Sequence, residues 1–257
     1  MTQEGYGVMP ENRWNRLTAS ELRDLAQRDA VVLLPVGSTE QHGEHLPTGV
    51  DDFLAAEVCR RAADAAHTPV VVAPSVWCGL AEHHMPFGGT VTLSLPTLHA
   101  LLRDVCHSIL RSGFRHILIV NGHGGNVTAL NALVNELTVE LDAPIAVTSY
   151  FTAGREVIAD TLETQQHLMH ACEGETSMAL AAFPDHVRTE RVAQAVGPDI
   201  FLQSEDRSAV YRSVTFDIIT RSGTAGDART ASAVKGERLL DGCARALADL
   251  IDAGIWS

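Results

Sequence analysis

Glu40, Gln41 and His42 follow, after Ser38 and Thr39, on the apolar run Val31-Val32-Leu33-Leu34-Pro35-Val36-Gly37, and Asp51 stands a short segment further on. Two carboxylates and an imidazole gathered past the end of a buried strand are what a divalent-metal site needs. On an extended segment, residues i and i+2 project to the same side. Glu40 and His42 can therefore face one cavity while Gln41 points away. Asp51 can fold back over that cavity, because Thr48-Gly49 permits a tight return. A carboxylate has two oxygens, so one Asp can bridge two ions about 3.5–4 Å apart. Taken alone, the three residues read equally well as ordinary loop polars.

A second apolar run, Ile117-Leu118-Ile119-Val120, leads into Asn121-Gly122-His123-Gly124-Gly125-Asn126. Glycines on both sides of His123 allow close backbone approach, which suits a crowded metal centre. The same glycines could cradle a phosphate at a helix N-terminus, but the GxGxxG spacing and a Walker lysine are both missing. The third cluster is His170-Ala171-Cys172-Glu173-Gly174-Glu175-Thr176-Ser177. On one helical turn His170 and Glu173 could share a side. That makes Glu173 a plausible ligand and His170 a proton shuttle, with Glu175 orienting a partner or helping with protons. The plainer role for both glutamates is to complement a helix N-terminus. His83 and His84, in a Gly- and Pro-rich loop, could line a pocket or sit on the surface. Cys172 has acidic neighbours, which raise a thiol pKa and argue against a nucleophile. Ser38 has no GxSxG context.

The elements that must position these residues alternate. Thr18-Ala19-Ser20-Glu21 has capping-box spacing and predicts a helix to about Arg28. The 31–36 run is the first core strand, and the 51–66 stretch has helical spacing. Val70–Ala73 is a second buried strand, and Thr90–Leu93 a short one. Pro96 starts a helix that Gly113 ends as a left-handed cap. His116–Val120 is a core strand, followed by a helix over 126–141 and a strand at 145–148. Glu175–Ala182 and Arg229–Ile251 are helices. Strands apolar throughout and alternating with helices imply an α/β fold, with a mostly parallel sheet covered on both faces. Ligands on such sheets sit beyond the carboxyl ends of the strands, where the first two clusters fall.

Composition excludes several functions. The chain has 257 residues, 46% of them hydrophobic, so it can bury a large core, and no linker divides it. A single domain over 1–257 is expected. The net charge of -13 argues against binding a phosphate backbone, so no nucleic-acid partner is expected. No apolar stretch approaches the roughly 20 residues of a membrane span. The polar stretch Met1 to Asn12 does not resemble a signal peptide. Five cysteines without a CxxC pair suit a reducing, cytoplasmic setting.

Taken in order, Gly37-Ser38-Thr39-Glu40-Gln41-His42-Gly43-Glu44-His45-Leu46-Pro47 with Asp51, then Asn121 to Asn126, then His170 to Ser177 resemble the creatininase (creatinine amidohydrolase) family. His84-Met85-Pro86-Phe87-Gly88-Gly89-Thr90 resembles its HxxFPGT loop, with Gly88 where proline is usual. Gly226-Asp227 through Lys235-Gly236 resembles the stretch before its last helix, so the likeness spans about Val31 to Gly236.

The resemblance implies a three-layer α/β/α sandwich and a dinuclear metal centre hydrolysing a C–N bond, often in a homohexamer. Matched residue by residue, Glu40 and His123 would hold one metal and His42 the other, with Asp51 bridging. Creatininase proper supplies a further glutamate two residues after the histidine of its NGH motif. Gly125 stands there in this chain, and the missing ligand is assigned to Glu173, as in members with the HGGN form. His170 and Glu175 match the catalytic histidine and glutamate. Phe151 and Gln166 stand where creatininase encloses its flat ring with tryptophans, which argues against creatinine as substrate. The family also includes a deformylase and a peptidase that trims a precursor peptide.

The reaction expected is metal-assisted hydrolysis of a small amide or cyclic amide, with two divalent ions, zinc first and manganese or iron also suiting the ligand set. The alternatives are peptide trimming, ring opening or isomerisation of a carbohydrate-like ketone, and a non-catalytic metal-binding scaffold.

Overall fold

The runs read as buried strands join in one sheet in the computed structural model, which describes residues 11–200 and 213–256. Most of the polar N-terminal stretch read above therefore lies outside the described residues. Strands β1 (Val31–Val36), β2 (Val70–Val72), β3 (His116–Asn121) and β4 (Ile145–Ser149) lie in the order β2-β1-β3-β4. Every pairing in it is parallel. Helix α1 (Ala19–Gln27) precedes β1, and the crossovers run through α2 (Val50–Ala65), α3 (Leu95–Arg111) and α4 (Val127–Leu141). After β4 come α5 (Tyr150–Ala153), α6 (Arg155–Thr161), α7 (Glu173–Ala182), α8 (Phe216–Ile219) and α9 (Ala233–Asp252).

Strand side chains alternate between the two faces of the sheet, and each face meets its own helical layer. Val31, Leu33, Leu118 and Val120 pack with Leu54 and Val58 of α2, Met178 of α7, and Leu239 and Leu247 of α9. Val32, Leu34, Ile117 and Ile119 pack with Leu98, Leu102 and Ile109 of α3 and with Leu130 and Leu137 of α4. These are the three layers expected, with both sheet faces dry. The capping box at Thr18 is formed, its hydroxyl accepting from the Glu21 N–H. Gly113 follows α3 with φ +97°.

Two expectations shift. The 90–93 segment makes only isolated bridges, Val91 with Thr39 and Thr92 with Gly79, because it runs across the loops above the sheet instead of joining an edge. The last helix starts at Ala233, where the Ser232 side chain accepts from the Lys235 N–H. Among the described residues, no helix is long and apolar enough to cross a membrane. All five cysteines are free and buried. Burial, with Glu175 adding to it, pushes the Cys172 thiol up to about 12, which removes it as a nucleophile.

Candidate metal centre

The carboxyl ends of β1 and β3 come together under the start of α2. Gly122 makes this approach possible: a Cβ there would stand 2.4 Å from the Asp51 carbonyl oxygen. Asp51 thus sits in the first turn of α2, where the helix dipole favours a carboxylate. Asn121 and Asn126 bracket the glycine loop. The Asn121 side chain binds the His123 N–H and carbonyl, and Asn126 binds the Leu80 N–H and the Gly37 carbonyl.

Asp51 stands between two histidines. Its Oδ1 lies 3.2 Å from His42 Nε2 and its Oδ2 lies 3.0 Å from His123 Nδ1. Glu40 Oε2 is 3.1 Å from His123 Nδ1, and Glu175 Oε2 is 3.7 Å from His42 Nε2. Each histidine turns its other nitrogen to a backbone carbonyl, His42 Nδ1 to Glu40 at 3.1 Å and His123 Nε2 to Leu80 at 3.2 Å. Such partners fix the tautomer and leave the inward nitrogen as a lone-pair donor for a cation.

Asp51 Oδ2 and Glu40 Oε1 are buried without a hydrogen-bond partner. Orphaned carboxylate oxygens facing imidazole nitrogens inside a protein fit a cation well, since a buried unpaired charge is otherwise costly. Glu40, His42 and Asp51 bring one ligand atom each to within 4.8 Å of one another, and so do His42, His170 and Glu175.

Of the seven residues singled out from sequence, six converge here: Glu40, His42, Asp51, His123, His170 and Glu175. Glu173, expected as a metal ligand, does not. Its buried carboxylate accepts from Lys235 Nζ, from the Glu163 and Thr164 N–H groups, and from the Thr164 hydroxyl. Those bonds occupy its lone pairs and hold it away from Asp51. Glu175, two residues along α7, faces His42 instead and accepts from the Ala171 N–H. Ala171 has φ +54°, a left-handed conformation costly for alanine, of the kind often concentrated at functional sites.

Three further residues belong to the centre. His84 is 2% exposed and its Nε2 lies 3.2 Å from Glu40 Oε1. His83 stacks on His123 with ring centroids 5.7 Å apart. Gln41, expected to point away from the cavity, instead reaches into the cluster. Its amide nitrogen reaches His84 Nδ1 at 2.9 Å and His170 Nε2 at 3.0 Å. The same amide nitrogen also meets the Gly223 carbonyl at 3.1 Å, and the other ring nitrogens of His84 and His170 lie 3.2 and 3.4 Å from Glu40 Oε1, so Gln41 positions both imidazoles against Glu40. The family-like loop beginning at His84 carried a signal for that histidine; nothing in the sequence marked Gln41.

Gly125 explains why no ligand comes from its position. A Cβ there would stand 2.4 Å from His123 Nε2, 2.7 Å from the Leu80 carbonyl oxygen and 2.8 Å from His83. Gly125→Ala is expected to push His123 off Leu80 and lower metal occupancy by about tenfold or more, in the range of losing an outer-shell partner. Elemental analysis of the purified variant checks this, and unchanged occupancy would refute it.

The electrostatics follow from crowding these groups in a dry site. Burial alone would lower His42, but Asp51, Glu175 and Glu40 outweigh it and raise its pKa from 6.5 to about 9. Burial likewise opposes charge on His123, yet Glu40 and Asp51 carry it well above its ordinary value. Burial would raise Asp51, but His42 and His123 hold it well below the usual carboxylate range. Burial raises Glu175 to about 8. His170 is pushed well below 6.5 by burial and by the neighbouring His42, His84 and His123. Without metal, protons stand where cations would.

A pH dependence follows. Metal binding needs His42 and His123 neutral and Glu175 ionised, so affinity should rise by at least about tenfold per pH unit toward pH 9. A group with a raised folded pKa stabilises the fold below its unfolded pKa and loses that contribution as pH rises through the folded one. His42 and Glu175 both act in this sense, over 6.5 to about 9 and 4.5 to about 8. Asp51 acts oppositely, but below pH 3.8. Chelated protein should therefore melt at lower temperature at pH 9 than at pH 6.5, and metal-loaded protein should resist the change. Calorimetry at the two pH values reads both, and parallel curves would refute the assignment.

The cluster opens into a cavity of about 710 Å³, whose wall includes Phe151, Arg155, Gln166, Met169 and Phe216. That volume lies in the range that encloses drug-sized ligands.

Comparison with known proteins finds relatives of one family. A family model described as creatinine amidohydrolase matches residues 15–251. The mycofactocin precursor peptide peptidase of Mycolicibacterium smegmatis is 36% identical over 237 residues, covering 89% of this chain and 88% of the peptidase. The creatinine amidohydrolase of Pseudomonas putida is 30% identical over 252 residues, covering 88% and 90%. A solved structure of a manganese creatininase superposes with a TM-score of 0.80 at 27% identity, over 96% of this chain and all of that one.

Proposed function

The chain belongs to the creatininase family of metal-dependent hydrolases, and from that premise we propose that its buried cluster cleaves the C–N bond of a small amide, cyclic amide or short peptide other than creatinine. The observation that carries this reading is Asp51, one carboxylate set between two histidines that each offer a lone pair. In this reading Asp51, Glu40, His123, His42 and Glu175 would hold two divalent ions, zinc, manganese or iron all suiting the nitrogen and oxygen donors. Asp51 would serve both, with Glu40 and His123 on one side and His42 and Glu175 on the other, Glu175 in the place that sequence assigned to Glu173. Divalent ions held there would supply a nucleophile from water at neutral pH and polarise the scissile carbonyl.

The chain's own groups do the rest. His170 lies against His42, ring centroids 4.2 Å apart, and Gln41 and Glu40 hold it from opposite sides. Kept neutral by its surroundings, it can take a proton and pass it to the leaving nitrogen. Phe151, Met169 and Phe216 exclude water from the bond being broken. Phe151 and Gln166 do not form the aromatic box expected for a flat ring, which is why creatinine is left out. The peptidase relative supports the peptide form of the reading. A homohexameric assembly and a cytoplasmic setting complete the proposal.

The test is metal-reconstituted protein against lactams, formamides and short peptides, with product mass as readout. Addition of one water supports hydrolysis. An unchanged mass with an altered product would move the protein to the isomerases. Bound metal without any turnover would leave a scaffold.

A further inference from the structure

We propose that Arg155 is a carboxylate-binding group, so that the natural substrate carries a free acid beside the amide it presents to the cluster. The inference rests on the hydrolytic reading above and adds the substrate's charge.

Arg155 is the one Lys or Arg among the described residues lining the cavity, whose polar wall is otherwise built from carboxylates, imidazoles and uncharged groups. The guanidinium makes no hydrogen bond or ion pair with any described residue. An exposed guanidinium on a cavity wall is available to a ligand, and a planar carboxylate answers its forked donors with two parallel bonds. Phe151 and Ile158 line the same wall. They lower the local dielectric and strengthen such a pair relative to one in open water.

The position is also held. Arg155 opens α6 directly after Gly154, and a Cβ on Gly154 would stand 2.3 Å from Cys243 Sγ on α9. Ile158, one turn on, is 1% exposed. The backbone bearing Arg155 is thus pinned to the core while its side chain stays exposed at the cavity. A single cation serves a monoanion. A phosphomonoester dianion would find no second Lys or Arg among the described lining residues, so the carboxylate is the favoured group.

The test separates this inference from the hydrolytic reading because it does not need turnover. Calorimetry on metal-loaded protein would compare N-acetylphenylalanine, its carboxamide and phenyl phosphate, in wild type, Arg155→Gln and Arg155→Lys. The acid should bind wild type about tenfold or more tighter than the carboxamide, a difference of about 1.4 kcal/mol. Arg155→Gln should abolish the difference and Arg155→Lys restore part of it. With acetylated dipeptides, the acid-to-carboxamide ratio of kcat/KM should fall by a similar factor in Arg155→Gln. Equal affinity for acid and carboxamide in wild type would overturn the proposal, as would a preference that survives Arg155→Gln or tighter binding of phenyl phosphate. An Arg155-dependent acid preference in a protein that hydrolyses nothing would keep this inference and sink the hydrolytic one.

Discussion

Asp51→Ala is expected to lose both metal ions and to lower turnover by at least about 10³-fold, since even outer-shell partners of such sites are worth 10–100-fold. Its two oxygens face different histidines, so no other single side chain in the cluster touches both halves. Removing it also takes away the charge that sustains His42 and His123 as cations in the metal-free protein. Their pKa values should fall, and the rise of metal affinity with pH should flatten. Asp51→Asn keeps the shape but not the charge, and it separates bridging from simple packing. Elemental analysis and turnover are read together. Full metal content with wild-type turnover in Asp51→Ala would end the whole assignment.

The second large effect is a contrast between two glutamates two residues apart. Glu175→Gln should drop metal content toward one ion per chain and lower turnover by about 10²-fold or more. Its fold should survive, because an amide oxygen can still accept from Ala171. Glu173→Gln should do the reverse. It removes the charge that Lys235 faces at a fully buried carboxylate and weakens its charge-assisted bonds to the 163–164 backbone. The expected cost is about 2–4 kcal/mol, several degrees of melting temperature for a chain of this size, with metal content unchanged. If Glu173→Gln instead lost an ion while melting normally, the sequence-based assignment of the ligand would be reinstated.

That contrast shows where reading the sequence stops. Residues i and i+2 on a helix point to nearly opposite sides, so one of the two glutamates had to face away from the cluster. Which one depends on how α7 is rotated against α2 and α9, and that rotation is set by Met178 and Ala179 packing into the shared core. Gln41 teaches the same lesson. Alternation along an extended segment turned it away from the cavity, yet its amide meets His84 and His170, which arrive from loops distant in sequence. Arg155 carries no motif at all; only its presence on the cavity wall singles it out.

What local chemistry could decide was decided in the sequence. The capping box at Thr18, the helix stop at Gly113 and the uniformly apolar strands are short-range matters of hydrogen bonding and burial. So was the placing of Glu40 and His123 beyond strand ends, because parallel sheets leave that edge open. The tertiary structure alone decided which side chains share a cavity and which are spent on holding the fold, as Glu173 is on Lys235. That outcome depends on distances between segments far apart in the chain, and it is settled only when the helices have packed.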